Sequence, residues 1–208
     1  MFRAEMSDRL IAGKLEAACR CATIGRQIIV QEQTGSTNDA ILQVTTANSN
    51  EGLVLFAEHQ TAGRGQRGNR WESAAGKGLW FSILLQPRLQ INDSGRLTIW
   101  ALETISDVIQ TGFSLEPTIK LPNDVQLYSR KVAGVLVEMR AQEKAPHLAV
   151  VGIGINVNQS LEDFPAELQS RAISLAIAMH QPVDRQKLAI AILQNLDRTY
   201  RARFAGNS

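Results

Sequence analysis

The sequence has little cysteine, few aromatic residues, almost no net charge and no long apolar run. Two cysteines occur in 208 residues, Cys19 and Cys21. A disulfide between positions i and i+2 is strained, and a zinc site needs more ligands, so we expect free thiols in a reducing compartment. No segment has the ~18 consecutive apolar residues of a membrane span, and no secretory signal is visible. These absences predict a cytoplasmic protein with no membrane partner.

Charge and composition exclude further classes. The 22 Lys+Arg residues nearly balance the 20 Asp+Glu residues, and the formal net charge is +2. Such a balance argues against nucleic acid as a bulk electrostatic partner, so a basic site must be local. Hydrophobic residues make up 44% of the chain and charged residues 20%, close to globular averages. The length suits one domain with a full core.

Hydrophobic periodicity predicts helices before and between strands. Helical spacing covers residues 3–22 (Met6, Leu10, Ile11 and Leu15), the segment around Ile41 and Leu42, and residues 93–113, 161–177 and 184–204. Strand-like runs cover residues 26–30, 53–57, 78–85, 118–121, 125–128, 131–140 and 147–157. The order predicts one domain of the α/β class (α+β type), with a mixed β-sheet flanked by helices.

A glycine- and arginine-rich loop follows the strand at 53–57. Its segment Gly63-Arg64-Gly65-Gln66-Arg67-Gly68 matches G-x-G-x-x-G, but a dinucleotide fold needs an apolar helix directly afterwards. Trp71 and two more glycines follow instead. Glycine allows close backbone approach and arginine offers forked donors, so the loop is suited to cover an anionic ligand. A solvated surface loop is the alternative.

Three later segments each allow a structural and a functional interpretation. Residues 120–124 (Lys-Leu-Pro-Asn-Asp) form either a plain turn or a set of side chains aimed at a ligand. Lys131, which begins an apolar strand, is either a solvent-facing edge residue or a cation beside a ligand. Gly152 and Gly154 mark either a bulge or a close approach to the strand.

The combination of motifs is more specific than any one of them. In order, the chain contains Gly35-Ser36-Thr37-Asn38, Gln60-Thr61-Ala62-Gly63-Arg64-Gly65, Lys120-Leu121-Pro122-Asn123-Asp124, Lys131-Val132-Ala133-Gly134 and Gly152-Ile153-Gly154-Ile155-Asn156. Together they resemble the biotin protein ligases, from about Ile28 to Asn158. The resemblance implies a fold similar to the class II aminoacyl-tRNA synthetase-like, biotin–lipoate ligase catalytic domain.

The resemblance also implies an enzyme that joins biotin to a lysine of a biotin carboxyl carrier protein. Biotin and ATP first give biotinyl-5'-adenylate and pyrophosphate, and the carrier lysine then displaces AMP. The implied substrates are ATP and biotin, with Mg²⁺ on the phosphates. The partner is the biotin carrier domain of a carboxylase, and a homodimer is left open.

Roles follow from motif position. The resemblance implies that biotin contacts Ser36, Thr37, Asn38, Gln60, Arg64, Gly65, Gln66 and Lys131. It implies that ATP or the adenylate contacts Arg67, Trp71, Lys120, Asn123, Asp124 and Asn156. Lys131 and Arg64 are the expected catalytic residues, and Asp124 is the candidate Mg²⁺ ligand.

The chain departs from the family pattern in three places. Gln66 and Asn69 stand where the family has arginines, and Leu121 stands where it usually has tryptophan. The expected domain organisation is a single catalytic domain over 1–208, with the family's C-terminal β-barrel absent or truncated. No helix-turn-helix domain is expected in front of it, and therefore no repressor function.

Three other functions compete with this interpretation. A lipoate or octanoate ligase-like enzyme shares the fold and a comparable lysine. A non-catalytic protein that binds biotin or the carrier is suggested by Gln66 and Asn69. A nucleic-acid-binding protein that uses the Arg-Gly loop is disfavoured by the low net charge and the sparse aromatics.

Overall fold

A seven-stranded β-sheet forms the centre of the molecule. The computed structural model describes residues 8–45, 51–142 and 146–204. The strands in these ranges are β1 Ile28–Thr34, β2 Val54–Gln60, β3 Gly78–Leu85, β4 Thr118–Lys120, β5 Asp124–Leu127, β6 Arg130–Arg140 and β7 Leu148–Asn156. Their spatial order is β1-β2-β3-β7-β6-β5-β4. The first pair is parallel and the other pairs are antiparallel, so the predicted mixed sheet is confirmed.

Helices cover both faces of this sheet. The α-helices in the described ranges are α1 Ala12–Cys19, α2 Thr37–Val44, α3 Ser94–Phe113, α4 Leu175–Met179 and α5 Arg185–Arg203. Residues from α1, α3 and α5 share the main core with one sheet face. Helix α2 packs on the opposite face, where Ile41 joins Leu55, Leu84 and Val150 in a smaller core. On the sheet face that carries α2, called the α2 face below, part of the sheet is therefore left free for a site.

Strand β3 shows how the two faces divide the side chains. Every residue of β3 is buried, because the strand lies between β2 and β7 and under helices on both sides. Leu79, Phe81 and Ile83 belong to the main core, whereas Leu84 belongs to the smaller core. Complete burial explains the continuous apolar run in the sequence, since each such side chain contributes about 1.5–3 kcal/mol on burial.

The first helix and the first two strands differ from their predicted bounds, and β2 extends to Gln60 rather than residue 57. The first helix begins at Ala12 rather than residue 3, and residues 1–7, including Met6, lie outside the described residues. It stops at Cys19 because Arg20 has a φ angle of +47°, and the following N–H groups of Ala22, Thr23 and Ile24 donate to Asp197. Strand β1 extends to Thr34, since Gln33 and Thr34 pair with β2. The polar turn therefore starts only at Gly35.

The C-terminal half of the sheet follows the prediction closely. Strands β5 and β6 form a hairpin with a two-residue loop. The loop residues Tyr128 and Ser129 have positive φ angles, of 51° and 61° respectively. This geometry matches the twist of the flanking strands. Short helical turns lie at Leu161–Asp163 and in α4, as predicted for 161–177. None of the helices in the described ranges combines the length and apolarity that a membrane span requires.

Candidate active site

Three glycines form the floor of a site on the α2 face. Gly134 of β6 pairs directly with Gly154 of β7, and Gly152 lies two residues before Gly154. A Cβ at Gly154 would lie 2.6 Å from the Trp71 ring, and one at Gly134 would lie 2.8 Å from the same ring. A Cβ at Gly152 would lie 2.2 Å from Asn38 Oδ1. Close approach of side chains therefore explains the β7 glycines, which pair with β3 and β6 without a register shift.

A β-bulge turns Lys131 toward this floor. Val125 pairs with Ala133, but its neighbour Gln126 pairs with Lys131, so Val132 is an extra residue in β6. Regular alternation would point Lys131 to the same face as Ala133, which lies in the main core. The extra residue reverses the alternation, and the Lys131 ammonium reaches the space above Gly134.

Lys131 has two close partners in the site. Its Nζ atom lies 2.7 Å from Asp124 Oδ1 and 4.9 Å from the centre of the Trp71 ring. The Lys131 side chain is 31% exposed and that of Asp124 24% exposed. Both charges are thus partly desolvated, which strengthens their interaction with any further charged group beside them.

Asn156 supports the backbone of Lys131. Its Nδ2 group donates to the carbonyl oxygens of Lys131 (3.3 Å) and Ile173 (3.2 Å). Its Oδ1 atom accepts from Gln159 Nε2 at 3.1 Å. These bonds hold β6 against the segment before α4. A contact of Asn156 with ATP or the adenylate stays a prediction.

The start of α2 is fixed by neighbouring strands. Ser36 occupies the N-cap position of α2 but makes no side-chain cap bond. Gln60 Oε1 supplies the acceptor instead, at 2.8 Å from the Thr37 amide nitrogen. The fully buried Ser82 of β3 donates to Asn38 Oδ1 at 2.6 Å. Sequence reasoning missed Ser82, although a single hydroxyl within Leu-Trp-Phe-Ser-Ile-Leu-Leu was a usable signal.

The Arg-Gly loop closes on itself as a narrow turn. The Gly65 amide donates to Asn69 O at 2.7 Å, and the Trp71 amide donates to Gly63 O at 2.9 Å. At its tip, Arg67 is exposed and has a φ angle of +58°. Residues 63–72 are called the covering loop below.

Arg64 links the covering loop to the sheet and to α2. Its Nη2 atom lies 2.8 Å from Asp39 Oδ1 and 2.9 Å from Glu138 Oε2. The same Glu138 oxygen accepts from Asn38 Nδ2 at 2.6 Å. Asp39 and Glu138 were not among the predicted site residues. The signal for Glu138 was a lone carboxylate near the end of an apolar strand.

The predicted site residues surround two adjoining spaces. A narrow inner cavity of about 40 Å³ is lined by Ser36, Thr37, Asn38, Gln60, Arg64, Gly65, Trp71, Asn123 and Lys131, among others. A wider outer cleft of about 480 Å³ is lined by Gly65, Gln66, Trp71, Lys120, Asn123, Asp124, Lys131 and Asn156, among others. The two spaces share Gly65, Trp71, Asn123 and Lys131. One anionic reactant in each space would therefore face the same ammonium group.

Two predicted residues lie elsewhere than their assigned roles suggest. Gln66, assigned to biotin, lines the outer cleft and not the inner cavity. Arg67, assigned to ATP, borders neither space and lines a hollow beside Glu138 instead. Arg70 is turned toward Glu72, 3.2 Å away. No arginine of the loop tip reaches the inner cavity within the described residues, and the roles of Gln66 and Arg67 stay predictions.

Comparison with known proteins agrees with this geometry. The model of the Biotin/lipoate A/B protein ligase family matches residues 30–156. The chain is 33% identical over 193 residues to the bifunctional ligase/repressor BirA of Bacillus spizizenii, which covers 93% of this chain.

The chain belongs to the biotin/lipoate protein ligase family.

Other members of the family are similar over most of this chain. The biotin--[acetyl-CoA-carboxylase] ligase of Mycobacterium tuberculosis is 32% identical over 200 residues, covering 91% of this chain and 72% of that protein. A solved structure of the biotin protein ligase from Aquifex aeolicus in complex with biotin and ATP superposes with a TM-score of 0.73. It is 28% identical, and the match covers 86% of this chain and 73% of that one. The predicted ligase fold is thereby confirmed.

The chain is shorter than some of its relatives. It spans 59% of the length of the Bacillus spizizenii protein. The family likeness therefore concerns the part that contains the sheet, the covering loop and Lys131. What the whole chain does is a separate inference, made below.

Proposed function

We propose that this protein is an ATP-dependent biotin protein ligase. In this proposal it forms biotinyl-5'-adenylate and then transfers biotin to a lysine of a biotin carboxyl carrier protein. The observation that carries the proposal is the position of Lys131, whose side chain lines both the inner cavity and the outer cleft. Its single charge lies where two anionic reactants would meet.

The first step joins two groups that repel each other. Biotin's carboxylate oxygen attacks the α-phosphorus of ATP, a new O–P bond forms, and pyrophosphate leaves. In our proposal biotin occupies the inner cavity, where Ser36, Thr37, Asn38 and Gln60 present polar groups, and the nucleotide occupies the outer cleft. Because about 40 Å³ holds only a few water molecules, the covering loop has to move outward to admit biotin. Lys131 stabilises the charge on both reacting groups, and Arg64 adds a second cation at the cavity.

The second step uses the activated carbonyl of the adenylate. The carrier lysine nitrogen attacks that carbon, an amide bond forms, and AMP leaves with the electrons of the broken C–O bond. The adenylate reacts with water, so the intermediate must be shielded until the carrier arrives. We assign that shielding to the covering loop, with the Trp71 ring lying on the glycine floor.

The residues of the outer cleft fit Mg²⁺ bound mainly through phosphates. Mg²⁺ is usually held by one or two carboxylates together with substrate oxygens and water. In the described part of the chain, no cluster of three potential ligands would hold a metal alone. Asp124 supplies one carboxylate at the cleft and would hold the ion together with the phosphates. When bound, Mg²⁺ neutralises charge on the leaving pyrophosphate.

The names of the relatives support biotin as the substrate. The Mycobacterium tuberculosis relative is a biotin ligase by name, and the Aquifex structure is a biotin protein ligase in complex with biotin and ATP. The acetyl-CoA-carboxylase ligase name supports a carboxylase carrier domain as the partner. The matched family also includes lipoate ligases, and Gln66 and Asn69 suggest a purely binding role, so these alternatives are outcomes of the test.

Three further expectations belong to this proposal. Residues 1–208 are proposed to act as one catalytic domain, in line with the single sheet seen in the described ranges. The reaction is proposed to occur in the cytoplasm, in keeping with two free cysteines. A homodimer stays a prediction, which sedimentation velocity at several protein concentrations would decide.

The decisive test is a labelling reaction. The protein is mixed with ATP, Mg²⁺, biotin and a purified biotin carrier domain, and the carrier is analysed by intact mass spectrometry. We expect a mass gain that equals biotin minus water, dependent on ATP. Parallel reactions with lipoate and octanoate distinguish the other acids. Labelling with lipoate but not biotin would contradict the proposal, and biotin binding without any transfer would indicate the binding role.

A further inference from the structure

A single carboxylate connects three parts of the site. Glu138 Oε2 accepts from Arg64 Nη2 of the covering loop at 2.9 Å and from Asn38 Nδ2 of α2 at 2.6 Å. Glu138 itself lies on β6, where it pairs with Val150 of β7 inside the antiparallel ladder. The carboxylate is therefore fixed by the sheet, while its two partners belong to a loop and to the first turn of a short helix.

The covering loop makes few other hydrogen bonds to the rest of the protein. The bonds of its tip described above run between residues of the loop itself, Gly65 with Asn69 and Trp71 with Gly63. Within the described residues, Arg64 makes the ion pairs that leave the loop, to Glu138 and to Asp39, and Arg70 Nη2 donates to Thr61 O at 3.4 Å. Glu138 is 32% exposed and Asp39 50% exposed. The bond to Glu138 is the less screened of the two, so it should hold the loop more strongly.

Glu138 also fixes the orientation of the Asn38 amide. The Asn38 oxygen accepts from Ser82, and its nitrogen donates to Glu138. Glu138 decides the orientation, because rotating the amide would place the Asn38 oxygen against the carboxylate, whereas the Ser82 hydroxyl can donate or accept. Asn38 lines the inner cavity.

We propose that Glu138 is a positioning residue that ties the covering loop to the start of α2, so that loop closure and the shape of the inner cavity change together. It acts through Arg64 and Asn38 and does not itself border the inner cavity. The proposal deepens the ligase function and rests on it for its kinetic consequences. The tether itself is a property of the protein without substrates.

The test uses Glu138→Gln, which keeps the size of the side chain and removes its charge. Both bonds go to the same oxygen, so the Gln carbonyl can still accept from Asn38 and Arg64, but without the negative charge both bonds are weakened. We expect the KM for biotin and the rate of biotinyl-adenylate release to rise about tenfold. The rate of carrier labelling at saturating biotin should change less than about twofold, because Lys131 is untouched.

A second readout needs no activity. Limited trypsin digestion of the intact protein is followed by mass spectrometry at the Arg67 bond, since Arg67 lies exposed at the loop tip. Glu138→Gln should raise the cleavage rate after Arg67 about threefold to tenfold, whereas cleavage at distant sites should not change. An unchanged melting temperature shows that the effect is local to the loop.

Two variants serve as controls. Glu103→Gln removes a carboxylate that pairs with Arg203 on the other side of the molecule, where Glu103 is 41% exposed. It should leave loop cleavage and adenylate release unchanged. Asp39→Asn removes the second, more exposed partner of Arg64 and spares the Asn38 bond, so it should raise loop cleavage and the KM for biotin by less than Glu138→Gln does.

The outcomes separate this inference from the ligase proposal. If the wild type labels no carrier, the ligase proposal fails. The trypsin digestion needs no activity, so it still decides whether Glu138 holds the loop. If the wild type is active but Glu138→Gln matches it in loop cleavage, adenylate release and KM for biotin, the inference is overturned. It is also overturned if Glu103→Gln produces the same changes.

Discussion

The two sides of the candidate site are held in different ways. On the strand side, Lys131, Asp124 and Asn156 belong to or end β-strands, and the backbone ladder of β5, β6 and β7 fixes them. On the loop side, residues 63–72 are hydrogen-bonded largely to one another and are tied to the body through the ion pairs of Arg64 and the packing of the Trp71 ring. Arg64 is 42% exposed, whereas Lys131 is 31% exposed.

This difference suggests a division of labour. A cation that must stabilise charge during bond formation works best when it is preorganised, and the bulge at Val132 places Lys131 in that way. A cover over the intermediate must open for the carrier lysine, so it is better held by a few breakable bonds. Changes on the strand side should therefore affect bond formation, and changes on the loop side should affect how long the adenylate stays.

The largest effect should come from Lys131→Ala. Loss of the ammonium shared by the two spaces should lower biotin-dependent exchange of pyrophosphate into ATP by about 10²–10³-fold. Lys187→Ala, which removes an 84% exposed lysine on α5, should leave exchange unchanged. If Lys131→Ala exchanged pyrophosphate into ATP as fast as the wild type, the strand side would not be responsible for bond formation.

Gly154→Ala should disturb both sides at once. The new methyl group would lie 2.6 Å from the Trp71 ring, so the ring must leave the floor or the strand must shift. We expect a loss of about 1–3 kcal/mol in the free energy of unfolding, measured in urea, and a raised KM for biotin.

The matched control for this glycine is Gly112→Ala. A Cβ at Gly112 meets nothing within 4 Å in helix α3, so alanine should stabilise the protein by about 0.5–1 kcal/mol. If both alanine variants were equally stable, the glycine floor would not be needed for close packing.

Gln66→Arg should act on retention of the intermediate. Gln66 lines the outer cleft next to Lys131, and an arginine there would offer forked donors to the adenylate phosphate. We expect the variant to release biotinyl-adenylate about tenfold more slowly than the wild type, with little change in its formation. Rapid filtration of preformed complex measures the release, and equal rates would remove the idea that Gln66 weakens retention.

The smallest effect should come from Asp163→Asn, outside both sides of the site. Burial raises the pKa of Asp163, but the hydrogen bonds from Lys77 and Ser160 outweigh it and hold this pKa below its usual value. A depressed carboxyl pKa stabilises the fold above pH ~4, and this contribution disappears as the pH falls through the lowered pKa.

The substitution should therefore lower the free energy of unfolding by about 0.5–1 kcal/mol at pH 7. It should also make the free energy of unfolding change less as the pH falls into the acid range. Thermal unfolding between pH 2 and 7 measures this. Adenylate release should stay at the wild-type rate, and a faster release would mean that the loop depends on contacts far from Arg64.

Much of the fold could be predicted because it depends on local pattern. The longest helix, α3, and strands β3 to β7 appear close to their predicted bounds, since long apolar stripes and buried runs survive in almost any tertiary context. The first helix was predicted too long at its C-terminal end, because Ala-rich periodicity does not reveal the positive φ of Arg20 or the bond from the Ala22 amide to Asp197, far along the chain.

The sequence predicted which residues line the site, but not the side chains that hold those residues in place. The motif residues gather around two spaces, as a family resemblance could foresee. The side chains that hold them, Ser82, Asp39 and Glu138, are distant in sequence from their partners. Nor does the sequence state that Val132 is an extra residue, because a bulge depends on the register of two strands.

The central claim is that Lys131 contacts both reactants. A crystal structure with biotin and a non-hydrolysable ATP analogue tests it most directly. We predict that Lys131 Nζ lies within hydrogen-bond distance of the biotin carboxylate and of an α-phosphate oxygen in the same complex. An ammonium group turned to bulk solvent, away from both oxygens, would contradict the account.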